Sequence, residues 1–78
     1  MPRFYFHVHN DIDAADREGT ELPDLAAARA TAIQGARELA AETVLEGRLH
    51  LDHFVEVTDE TGAGRFKVTF GEAIAITG

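Results

Sequence analysis

A chain of 78 residues holds one domain with a small core, and the absence of cysteine excludes both a disulfide framework and a thiolate metal site. Seven basic residues against fourteen acidic ones leave a net charge of −7, a field that repels a phosphate backbone and speaks against a nucleic-acid partner. No stretch reaches the roughly 20 apolar residues of a membrane span, and the opening MPRFYFH lacks the apolar run and cleavage site of a secretory signal; a cytoplasmic protein without membrane association is expected.

Arg3 to His9 alternates. Phe4, Phe6 and Val8 fall on one side and Tyr5, His7 and His9 on the other, and this period of two predicts a strand. Asn10 to Asp16, NDIDAAD, is turn-prone, because Asn and Asp side chains bond their own backbone. Arg17 to Leu22 predicts a short second strand, with Gly19 at a bulge or turn. Pro23 holds Leu22 extended. Asp24 is set to cap a helix, its carboxylate accepting an amide of the first turn and its charge facing the positive end of the helix dipole. Leu25 to Leu45 is built of helix formers. Leu25, Ala28, Ala32, Ala36, Leu39, Ala40 and Thr43 make one stripe at helical spacing, with Ile33 and Val44 at its edge. So small a face predicts a helix lying low on large aromatic side chains. Gly35, in mid-helix, costs about 1 kcal/mol against alanine, and close approach to a neighbour is the expected reason for it. Gly47 marks the stop.

Arg48 to Asp52 reads as a connector whose Leu49 and Leu51 plug the edge of the core. His53 to Thr58 alternates again, with Val55 and Val57 inward. DETGAG, from Asp59 to Gly64, is a glycine-bearing hairpin loop, and Arg65 to Phe70 predicts the last strand, with Phe66, Val68 and Phe70 inward. The tail, Gly71 to Gly78, fits a frayed end, an edge strand or a helical turn. One amphipathic helix covers one face of a sheet. The fold expected over 1–78 is therefore a single α+β domain: a mainly antiparallel sheet of three or four strands with one long helix on one face, in the order β-β-α-β-β.

The opening MPRFYFH, the stretch EGTELPDLAAARATA from Glu18 to Ala32, and VEVTDETG from Val55 to Gly62 together resemble a family of short bacterial proteins defined only as a domain of unknown function. The resemblance spans nearly the whole chain, and EGTELPDL is its most specific piece. It implies a cytoplasmic ββαββ domain with no assigned activity, and no catalytic residue carries over. The layout is also similar to HicB-like antitoxin domains, where a strand hairpin leads through a Pro-Asp stretch into a helix; the DNA-binding segment of those proteins has no counterpart here.

The candidate sites are few. His7 and His9 share one side of a strand, where two residues apart can hold one metal ion. Asp11 and Asp13, or His53, are at hand to complete a zinc set. The plainer reading is two half-exposed histidines on a solvated or dimer-facing sheet surface, so no metal and no cofactor is expected. Counted from Asp11, a calcium loop would need glycine at Asp16 and glutamate at Leu22, and the match fails. Gly62-Ala63-Gly64 leads into a strand, not a helix, and is no phosphate loop. Serine is absent along with cysteine, which removes the two commonest nucleophiles. The expectation is a non-enzymatic interaction or regulatory module, a homodimer or a binder of another protein, with Tyr5, His7, Phe54, Ile74 and Ile76 as interface candidates. The alternatives are a metal- or small-ligand-binding protein centred on His7 and His9, and an antitoxin-like partner-binding domain.

Overall fold

The computed structural model describes residues 1–78. In chain order it has strands β1 (Arg3–His9) and β2 (Thr20–Glu21), helix α1 (Leu25–Leu45), strands β3 (Phe54–Asp59) and β4 (Gly64–Thr69), and a single helical turn, α2 (Phe70–Ala73). The sheet order is β2-β1-β3-β4, with every neighbouring pair antiparallel. This is the α+β arrangement expected from the residue pattern, with α2 added. No helix is long and apolar enough to cross a membrane.

Register fixes the two faces. Phe6 lies opposite Val57, Val8 opposite Val55, Val55 opposite Val68 and Val57 opposite Phe66, all toward α1. Tyr5 opposite Thr58, His7 opposite Glu56 and His9 opposite Phe54 line the other face. Because side chains alternate, a slip of one residue would exchange these faces entirely.

Helix α1 starts where Asp24, extended at φ −161°, accepts the Ala27 amide through Oδ1 at 2.8 Å. It ends in a Schellman motif: the Gly47 amide reaches the Val44 carbonyl and the Arg48 amide the Thr43 carbonyl, each at 2.9 Å. Gly47 takes φ +86°, which a side chain would resist. Ala28, Ala32, Ala36 and Ala40, four residues apart, form a smooth ridge that meets Phe4, Val55, Val57, Val68, Phe70 and Ala73. Phe6, Leu22, Ile33, Leu39, Phe66 and Ile74 are partly buried around that core.

Several expectations need correction. The second strand keeps only Thr20–Glu21 of the six residues from Arg17 to Leu22. Phe70 does not end β4; it is buried at the start of α2, where Thr69 Oγ1 accepts the Glu72 amide at 3.1 Å. The tail is thus first a helical turn. Leu49 and Leu51 do not plug the core, since Phe70 and Ala73 already close that end, and both leucines are exposed. Leu25 of the helical stripe and Val44 at its edge are exposed as well. Gly35 permits no close approach: a Cβ built there would meet nothing within 4 Å. The two helix arginines have packing roles. Arg29 lays its guanidinium over the Phe66 ring at 4.4 Å, and Arg37 Nε donates to the Ala73 carbonyl at 2.7 Å, which ties α2 to α1.

Candidate functional site

The outer edge of β1 is closed by the loop that follows it. β2 pairs with Arg3 and Phe4, and Ala14 exchanges both backbone bonds with Val8. Between them the Phe6 amide donates to Asp16 Oδ2 at 3.1 Å, while Asp16 Oδ1 accepts the Glu18 and Gly19 amides, each at 3.1 Å. Burial opposes ionisation of Asp16, but the amide bonds from Gly19, Phe6 and Glu18 outweigh it, and the carboxyl is held below its ordinary value. Gly19 lets the chain return against β1. Its φ is +72°, and a Cβ there would lie 2.8 Å from Arg3 Cγ, 2.9 Å from Tyr5 Cε1 and 3.0 Å from the Phe4 carbonyl oxygen.

The uncovered sheet face carries the row predicted from alternation, and its members are bonded to one another. His7 Nδ1 accepts the Asp16 amide at 3.1 Å, so the neutral ring carries its proton on Nε2 and donates it to Thr58 Oγ1 at 3.0 Å. Tyr5 stacks beside His7, with centroids 6.5 Å apart. His9 sets Nε2 against Glu56 Oε1 at 3.1 Å and Nδ1 against Asp13 Oδ1 at 3.3 Å. Its ring stacks on Phe54 at 4.6 Å, and Lys67 Nζ covers Phe54 at 4.7 Å from the ring centre. Every ring nitrogen of His7 and His9 thus has a partner within the chain. The shallow hollow beside them, lined by Asp13, Ala15, Glu56 and Thr58, is open to solvent.

A different histidine pair converges. His50 and His53 flank the turn Leu51–Asp52, which brings their rings into a stack with centroids 4.4 Å apart. Asp11, from the loop after β1, approaches the pair, with Oδ1 3.7 Å from His53 Nε2. Of the residues considered beside His7 and His9, Asp13 joins His9, whereas Asp11 and His53 join His50. Sequence reasoning passed over His50. The available signal was the spacing of two histidines at the ends of a four-residue turn.

Apolar exposure concentrates where α1 ends. Val44 and Leu49 line one hollow with Gly47 and Arg48, and Leu45 and Leu51 flank these residues in the chain. Of the tail candidates, Ile74 packs on the core and Ile76 is exposed.

A four-stranded antiparallel sheet with one long helix across it defines a small α+β domain of the ββαββ type. The chain belongs to the family DUF6894, a domain of unknown function, whose model matches residues 3–71. No curated protein and no solved structure matches it.

Proposed function

We propose that the domain is a non-enzymatic, cytoplasmic interaction module that pairs with a second copy of itself through the C-terminal end of α1. The observation that carries this is the apolar exposure there: Leu45 is 89% exposed, Val44 54%, Leu51 45% and Leu49 37%. Other surfaces fit the role less well. The outer edge of β1 is closed, and the side chains of the open sheet face, Tyr5, His7 and Phe54 among them, are engaged within the chain. The free edge, β4, carries Arg65 and Lys67, charges that discourage strand pairing.

Fully burying one such side chain contributes about 1.5–3 kcal/mol, so covering the exposed fractions of the four gives on the order of 3–7 kcal/mol per copy. A two-fold interface doubles that. Set against an association cost of about 4–15 kcal/mol, the result is a weak, concentration-dependent dimer. Light scattering and sedimentation across the micromolar range test it. The expected result is a dimer in the wild type that dissociates in Leu45→Lys/Leu49→Lys with the thermal midpoint little changed. A strict monomer at high micromolar concentration, or a dimer indifferent to both substitutions, refutes the reading.

A further inference from the structure

We propose that Asp11, His50 and His53 form a binding site for a divalent transition-metal ion of the zinc type. One ligand atom from each residue lies within 4.8 Å of the other two, and the three come from two loops that meet only in the folded chain. A second observation is independent of that proximity. His50 Nε2 is buried and has no hydrogen-bond partner; His53 Nδ1 is likewise unpartnered, while the Nε2 of that ring is the nitrogen that faces Asp11. A buried polar atom left unpaired is costly, and such atoms are rare without a reason. The contrast with His7 and His9, where every nitrogen is engaged, is internal to the same small domain.

The donor chemistry selects the ion. Two imidazoles and one carboxylate suit zinc, nickel or cobalt, whereas calcium and magnesium prefer sets made of oxygen alone. Three protein ligands leave a fourth position for water, and the Asp11 side is open to it, the aspartate side chain being 67% exposed. The turn that presents the histidines is braced. The Phe70 amide donates to the His53 carbonyl at 2.7 Å, the Gly71 amide to the Leu51 carbonyl at 3.0 Å, and Phe70 sets its ring edge-on to His53 at 5.7 Å. A tetrahedral ion with bonds of about 2.0–2.1 Å draws its ligand atoms to roughly 3.4 Å from one another. The cluster must therefore contract by up to about 1.4 Å, which the rings achieve by unstacking and the exposed Asp11 by rotating its carboxylate.

Calorimetric titration of zinc into the metal-stripped full chain tests the site, with cobalt absorption in the visible reporting tetrahedral nitrogen–oxygen ligation. The expected result is one saturable ion per chain, at least about tenfold weaker binding in Asp11→Asn and His50→Gln, and unchanged binding in His9→Gln. Asp11 is exposed, so its substitution leaves the fold intact. Zinc should raise the thermal midpoint of the wild type and not that of Asp11→Asn. Absence of saturable binding overturns the proposal, as does binding that survives in both Asp11→Asn and His50→Gln or is lost in His9→Gln.

Discussion

Replacing Gly35 by alanine should stabilise the protein. Glycine within a helix is less favourable than alanine by about 0.5–1 kcal/mol, because the unfolded chain loses more freedom on becoming helical. That gain is realised only where the added methyl meets no obstacle. At Gly35 a Cβ has open space for 4 Å around it, beyond the helix's own backbone, so no neighbour must shift. The residue sits beside Gln34 and Glu38 in a shallow hollow on the surface of α1, and its backbone has an ordinary negative φ. For a domain of this size 1 kcal/mol moves the thermal midpoint by about 4–8 °C, so the expected rise is about 2–8 °C. Circular dichroism melts, with urea unfolding to show an unchanged m-value, measure it. A midpoint that stays level or falls would refute the reasoning and would mean that another surface packs against this glycine.

Asp16→Ala removes the acceptor of three backbone amides at the edge of β1 and should cost about 1–3 kcal/mol by urea denaturation, because the part-buried Phe6 and Gly19 amides lose their partner while the exposed Glu18 amide turns to water; a loss below about 0.5 kcal/mol would mean water replaces the clamp freely. Acid should destabilise the fold for a related reason. Asp16 and Asp59 are both held below the ordinary value of 3.8, Asp59 chiefly by the Thr61 hydroxyl. Their contribution is complete above the unfolded-state value and disappears as pH falls from there through the lowered folded values. Urea midpoints taken from neutral pH down to about pH 3 should therefore drop on the acid side, with a shallower drop in Asp16→Asn; a midpoint that rises on acidification contradicts this.

Much of the fold was legible because its signals are local. Alternation in Arg3–His9 and again in Val55–Thr58 assigned faces correctly, since the strand period leaves no third choice. Asp24 and Gly47 bounded α1 because capping depends on residues within one turn. What failed depends on contacts distant in sequence. Phe70 continues the inward alternation of Phe66 and Val68, yet the chain turns helical there. The box Thr69-Phe-Gly-Glu72 was visible as a capping pattern, but only packing against α1 makes one turn of helix worthwhile. Once Phe70 and Ala73 fill that end of the core, Leu49 and Leu51 have nowhere to go. The cluster of Asp11, His50 and His53 was hidden for the same reason. Its histidines are joined by a turn that no periodicity announces, and its aspartate lies 39 positions before His50 in the chain.

The exposed leucines follow from the alanines. Five of the ten buried residues are alanine, and the four on α1 hold the helix close to the sheet. A gap that narrow admits the phenylalanines and valines of the strands but no leucine from the end of the helix. To bury Leu45 or Leu49 within the chain, α1 would have to stand farther off, opening voids along the ridge that cost more than the leucines contribute. The same thinness leaves the loops few apolar anchors, Leu22 and Ile74 among them, so carboxylates do much of the fastening: Asp16 at β1, Asp24 at α1 and Asp59 in the hairpin each take backbone amides. A second chain set against Val44, Leu45 and Leu49 supplies the apolar layer that the ridge denies them, at the one end of the helix where no carboxylate clamp stands in the way. That is why the proposed interface lies there, although the aromatic row on the sheet is the more conspicuous surface in the sequence.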